Sequence, residues 1–181
     1  MVREYRTSDK YVFFMQGPLG NWYGDHSDKS IIHLWNKQFR TSEHLFMYFK
    51  AVHFGDVENM EKIENEPLTA YEVKAVGRTI KGFNEKEWDA VKKEAMMLAL
   101  RLKYDWCTDF RETLMAEEYR GKTFVECNMD DKVWAIGKSL ESEGIEDEGS
   151  WNGRNLLGEC LTELRNEKLL EKEMKNRLDS I

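Results

Sequence analysis

The stretch NEKEWDAVKKEAMMLALRLKYDW, from Asn84 to Trp106, constrains the fold more than any other. Trp88, Val91, Ala95, Leu98 and Leu102 recur at helical spacing, which a strand cannot place on one face. Asn84, followed three residues later by Glu87, reads as a capping box that starts the helix. The chain is therefore built around a long amphipathic helix, and the other segments can be sorted relative to it.

Residues 1–40 are irregular, with YVFFMQGPLGNWYGD and IIHLWNKQF reading as two short strands around a Gly-rich turn. A helix begins at Thr41 or Ser42, either of which can cap it, with Glu43 well placed in the first turn. Pro67 stands near another helix start, where its missing N–H costs nothing. A further helix covers Thr108 to Glu118, and KTFVEC reads as a short strand. The acidic, Gly-containing stretch 138–150 is expected to be a mobile loop. From Asn155 a long helix turns Leu157, Leu161 and Leu164 inward and ends in a charged, frayed tail over 166–181. With no internal repeat, the expectation is one compact, mainly α domain over 1–181 with a few short β-strands.

The chain has 181 residues, 41% of them apolar, with six Trp and nine Phe, which is enough for a sizeable core. A net charge of -7 argues against a general nucleic-acid coat, though not against a locally basic pocket. No signal-peptide pattern and no membrane-length apolar run is present. Cys107, Cys127 and Cys160 are odd in number and widely spaced, as expected of reduced core cysteines in a cytoplasmic protein.

Several chemistries fail on spacing. The phosphate-loop fragments at Gly121 and Gly137 lack the glycine five residues earlier, where Ala116 and Lys132 stand. The four histidines form no ligand pattern, and no CxxC, GxGxxG or GxSxG occurs. No metal or redox cofactor is implied. An enzyme built on this chain would work with carboxylates, lysine, amides and aromatics.

TSEHLFMYFKAVHF, residues 41–54, then stands out. It is apolar on nearly every side yet carries Glu43 and Lys50, which share a narrow helical arc with Met47 and Phe54, while Leu45, Phe49 and Val52 lie opposite. Seven residues separate the charges by roughly 10 Å along a helix. That is too far for a short intrahelical pair, and it suits two groups reaching toward something held between them. The alternative is that each charge pairs with another element, or that Lys50 snorkels to the surface.

PLGNWY, TSEHLFMYFKA, AVGRTI, EKEWDAVKKEAMMLALRLKY, FVECNMDDKVWAIG and NGRNLLGECLTELR occur in that order. Together, from about Phe13 to Arg165, they resemble the NADAR, or YbiA-like, family. The resemblance implies a compact, mainly helical fold and cleavage of N-glycosidic bonds. The implied substrate is a phosphoribosyl aminopyrimidine of early riboflavin synthesis, or an ADP-ribosylated guanine, free or linked to nucleic acid. The family pattern falls on Asn21 and Trp22; on Ser42, Glu43, His44 and Lys50; on Gly77 and Arg78; on Val125, Glu126, Asp131 and Trp134; and on Asn155, Leu157 and Gly158. Two departures stand out. Ala135 replaces the glycine that usually follows the tryptophan, and the 138–150 insert is more acidic than usual.

Breaking an N-glycosidic bond leaves an electron-poor anomeric carbon and an amine that needs a proton, both tasks for carboxylates. The resemblance makes Glu43 the expected acid–base group, in an apolar setting that favours its protonated form. Lys50 would hold a phosphate or attack the opened sugar as a Schiff-base nucleophile. Asp131 would bind ribose hydroxyls, and Trp134 and Trp22 would flank base or sugar. Asn21, His44 and Asn155 would hydrogen-bond the ligand. Arg78 and Arg154 would take phosphate, Arg154 beside an anion-binding helix N-terminus. Bland roles compete: Trp22 and Trp134 as core, Asp131 as a turn cap, Asn155 and Gly158 as helix-start and packing residues, Arg78 as a surface ion pair. A non-catalytic sensor of ADP-ribose-like ligands, or an interaction protein using its charged last helix, are the rival readings.

Overall fold

A computed structural model describes residues 4–180. The fold is mainly α with short strands. In chain order it comprises β1 (Tyr5–Thr7), β2 (Tyr11–Phe14), β3 (Ile32–Leu34), β4 (Lys37–Phe39), α1 (Ser42–His53), α2 (Val57–Asn65), α3 (Ala70–Gly77), α4 (Glu85–Trp106), α5 (Thr108–Leu114), β5 (Thr123–Glu126) and α6 (Leu156–Leu178). These divide into two compact units. Gln16–Thr113 forms one, and the chain up to Met15 together with that from Leu114 onward forms the other.

In the helical unit α1 packs on α2, α3 and α4. Thr41 caps α1 by accepting from the His44 amide, and Thr69 with Glu72 closes a full capping box on α3. Pro67 stands outside that helix. Asn84 accepts from the Glu87 amide as expected, but the Glu87 carboxylate lies 3.2 Å from His53. The buried face of α4 differs from the expected stripe. It consists of Trp88, Lys92, Met96, Met97, Ala99, Leu100 and Lys103, while Leu98 is 45% exposed. The two candidate stripes overlap around the helix, and the one rich in Met faces inward although it carries two lysines. α1 is likewise less two-sided than its sequence suggests, since Val52 is exposed. IIHLWNKQF is not one strand: it folds back as the antiparallel hairpin β3–β4, with Trp35 at the tip in the left-handed region (φ 53).

In the other unit β2 is the middle strand, antiparallel to β1 and parallel to β5, with Val12 opposite Phe124. Every residue of β2 is buried, as expected of a strand covered on both faces. α6 packs against β5 and completes its free edge with side chains. Thr162 Oγ1 accepts from the Phe124 amide at 3.0 Å. Asn155 Oδ1 accepts from the Glu126 amide and Asn155 Nδ2 donates to the Phe124 carbonyl, both at 3.0 Å. The groups that would otherwise invite another strand are thereby paired. Gly158 permits this approach, because a Cβ there would lie 2.1 Å from the Phe124 carbonyl oxygen.

The 138–150 segment is docked rather than mobile. Ile145 is fully buried and Leu140 nearly so, both in one apolar cluster with Tyr11, Phe13 and Val125. Tyr11 Oη donates to Glu148, and Trp151 Nε1 donates to the Ile145 carbonyl at 2.7 Å. Its acidity describes its surface, and its two aliphatic residues decide its position. The tail stays helical to Leu178 although exposed. The three cysteines are buried thiols. Among the described residues no helix is long and apolar enough to cross a membrane.

Candidate active site

Glu43 occupies the first turn of α1, where the helix dipole favours a carboxylate, and is only 5% exposed. Its backbone is held by the turn before it. The Asn21 carbonyl accepts from the Glu43 amide at 3.1 Å and from Ser42 Oγ at 3.2 Å. Asn21 Oδ1 also accepts from Ser42 Oγ, and Asn21 Nδ2 points to Met96 Sδ at 3.6 Å. Asn21 is thus buried and engaged with α1 and α4.

His44 is buried beside it with both ring nitrogens occupied. Nε2 lies 2.8 Å from the Leu68 carbonyl and Nδ1 2.8 Å from Thr41 Oγ1. The carbonyl can only accept, so Nε2 carries the proton, and the Thr41 hydroxyl donates to Nδ1. Burial holds its pKa below the ordinary value, partly offset by the Leu68 bond. The histidine ties the start of α1 to the start of α3.

Lys50 is half-buried on the same helix. Its Nζ donates to the Gly77 carbonyl at 2.8 Å and sits 4.2 Å from the Phe83 ring centre and 5.9 Å from that of Trp88. Desolvation lowers its pKa. A Cβ on Gly77 would lie 2.0 Å from Met47 Sδ, so glycine lets the end of α3 reach α1 and hand its carbonyl to the amine. Arg78, the next residue, is exposed; Trp22 is 44% exposed, with Lys74 Nζ 5.9 Å from its ring centre. The helical unit therefore gathers Asn21, Glu43, His44 and Lys50 about α1, with Arg78 following Gly77 at the end of α3.

In the other unit Asp131 does cap a turn: its Oδ1 accepts from the amides of Val133 and Trp134 at 2.9 and 2.8 Å. That turn is joined backbone to backbone with the segment leading into α6. The amides of Asn152, Arg154, Asn155, Leu156 and Leu157 donate to the carbonyls of Ile136, Lys132, Ala135, Val133 and Trp134. The expected anion site at the α6 N-terminus is therefore corrected. Its leading amides already donate to carbonyls of the 133–135 turn, and Asn155 is turned onto β5 at 4% exposure. Gly153 makes the joint possible, because a Cβ there would lie 2.2 Å from the Ala135 carbonyl oxygen. Ala135 is fully buried, and the left-handed residue of this turn is Gly137 (φ 67), so the alanine imposes no backbone strain. Trp134 is half-buried and Arg154 exposed. Among the described residues neither Arg78 nor Arg154 has an ion-pair partner.

Among the described residues no three His, Cys, Asp or Glu side chains gather where a metal ion could be held. What the sequence reading missed is Lys103. It is fully buried on α4, and its Nζ donates to the Gly20 carbonyl at 2.8 Å. Its signal was present, since Lys103 lies on one helical arc with Trp88, Lys92, Met96 and Ala99.

The NADAR domain model matches residues 6–169. An N-glycosidase of Acanthamoeba polyphaga mimivirus is 30% identical over 88% of this chain and 97% of its own length. Protein irg-1 of Caenorhabditis elegans is 32% identical over 93% of this chain and 77% of its own. N-glycosidase YbiA of Escherichia coli is 31% identical over 87% and 93% respectively. The NMR structure of E. coli YbiA matches with a TM-score of 0.67 at 28% identity, covering 93% of this chain and 90% of that one. With the family's pattern spanning nearly its whole length, the chain belongs to the NADAR domain family.

Proposed function

We propose that this protein is an N-glycosidase, hydrolysing the bond between a phosphoribosyl or ADP-ribosyl group and a nitrogenous base, with Glu43 as the acid–base group. The observation that carries the reading is the pair on α1. A nearly buried carboxylate in the first turn is followed two turns later by a desolvated lysine amine between a backbone carbonyl and two aromatic rings. The relatives named N-glycosidases support the reaction class.

In this reading Glu43 delivers a proton to the departing nitrogen and, in its ionised form, supports the positive charge that grows at the anomeric carbon. Burial raises the neutral fraction of the Lys50 amine, which suits attack at the anomeric carbon. The Lys50 nitrogen–carbon bond forms as the bond to the protonated base breaks, the sugar ring opens to an imine as the lysine nitrogen loses its proton, and one water hydrolyses that imine to free the sugar and the amine. Arg78, an exposed guanidinium, supplies a phosphate contact, and Trp22 offers an aromatic face to base or sugar. Asn21 and His44 serve by holding the start of α1. In the other unit Asp131 caps the turn that carries Trp134, and Asn155 completes the sheet edge. The net charge favours a small nucleotide-like substrate over long duplex DNA.

Incubation with an oligonucleotide carrying ADP-ribosylated guanine, and separately with a phosphoribosyl aminopyrimidine, tests this by mass spectrometry of released ADP-ribose or ribose 5-phosphate. Release by the parent but by neither Glu43→Gln nor Lys50→Ala supports both roles, and the productive substrate names the branch. Binding without release from either substrate would overturn the enzyme reading in favour of a sensor.

A further inference from the structure

Lys103 is the most unusual buried group of the helical unit. Its side chain is fully enclosed, and among the described residues it has no carboxylate partner. The ammonium would lie 4.6 Å from the Phe110 ring centre and 5.9 Å from that of Tyr23. Its hydrogen-bond acceptor is the carbonyl of Gly20, which also accepts from the Tyr23 amide at 3.3 Å and so closes the turn there. The next residue is Asn21, whose carbonyl holds the Glu43 amide and the Ser42 hydroxyl. A continuous path thus runs from a side chain inside α4, through one turn, to the first turn of α1.

We propose that Lys103 is a positioning residue for Glu43: by gripping the Gly20 carbonyl from within the core it fixes the Gly20–Asn21 turn, and through Asn21 the first turn of α1. This rests on the reading of Glu43 as the acid–base group. An amine in this place donates one hydrogen bond whether charged or neutral, but the charged form draws the carbonyl and ring faces closer. Burial without a counter-ion brings the Lys103 pKa down to about 7, so both forms are populated near neutrality. The titratable groups facing it are Tyr23 from the turn, whose hydroxyl donates to Asp109 on α5, and Cys107 just past the end of its own helix. On α1 the other ionisable neighbours of Glu43 are His44, which titrates below 6.5, and Lys50. The position of Glu43 is thereby coupled to a proton that does not take part in the chemistry.

The test needs no substrate. Isotopically labelled parent protein is titrated from pH 5.5 to 9 by NMR, following the Lys103 side-chain carbon next to Nζ together with the Glu43 amide. The expected result is one inflection shared by both, lost from the Glu43 amide in Lys103→Met, with Glu43 amide exchange accelerated about tenfold in that variant. Lys103→Gln, which keeps a donor for Gly20, should restore slow exchange while remaining without the inflection. A Glu43 amide that does not follow Lys103 in the parent, or an inflection that survives in either variant, overturns the proposal. A parent that shows the shared inflection yet cleaves neither N-glycoside supports the coupling and fails the glycosidase reading alone.

Discussion

Replacing Asn155 by alanine separates a residue that builds the fold from one that touches ligand. Asn155 supplies two hydrogen bonds to the edge of β5, one to the fully buried carbonyl of Phe124 and one from the half-buried amide of Glu126. Alanine leaves both groups unpaired. A buried group without a partner costs about 1–3 kcal/mol, so the enclosed carbonyl contributes about 2 and the amide, closer to solvent, about 1. Asn155 also sits in the left-handed region at φ 55, where asparagine is tolerated and alanine costs about 1 kcal/mol more. The sum is about 4 kcal/mol, or roughly 8–16 °C in melting temperature for a chain of this length. Urea denaturation followed by circular dichroism reads it directly, with an unchanged slope expected because the same surface unfolds. Asn155→Gly, free of the backbone strain, should recover about 1 kcal/mol of the loss. A loss below about 1 kcal/mol for the alanine variant refutes the edge-closing role. If such a stable variant also lost activity, Asn155 would have to be returned to the substrate contacts.

Two further outcomes follow. Between Lys103's folded pKa of about 7 and its ordinary 10.5, the unfolded chain holds a proton that the folded chain lacks, so stability rises with pH. Linkage gives about 2 kcal/mol between pH 7 and 9. His44 acts below that window, and the buried Cys127 thiol, pushed up to about 12, acts above it. Chemical denaturation across the window should show the slope in the parent and its reduction in Lys103→Met, where the lowered Lys50 amine leaves a smaller slope of the same sign; a slope unchanged in the variant counts against a buried Lys103 amine. For the 138–150 segment, Ile145→Ala should lower stability by about 2–4 kcal/mol, as for a core aliphatic residue, whereas no change in the denaturation midpoint would restore the mobile-loop description.

Much of this protein was determined locally and could be read as such. The starts of α1 and α4 follow from Thr41 and Asn84, which act on amides three residues away. The course of α6 follows from Leu157, Leu161 and Leu164, and β5 from its short β-prone run. The candidate pair Glu43 and Lys50 was likewise visible, because charges in an apolar helix stand out against its period. The tertiary structure decided everything that depends on a partner distant in sequence. The helical arc places Lys103 with Trp88, Met96 and Ala99, but what makes its burial tolerable is a carbonyl 83 residues away in sequence. Asn155 looks like a ligand contact until β5, 29 and 31 residues earlier, takes both ends of its amide. The α6 N-terminus looks like an anion site until the 133–135 carbonyls close it, and the acidic segment looks mobile until Ile145 enters the core. Helix caps and periodicity act within about four residues, so sequence determines them. The occupancy of a polar group is settled by whichever distant backbone arrives beside it, and only the folded chain specifies that.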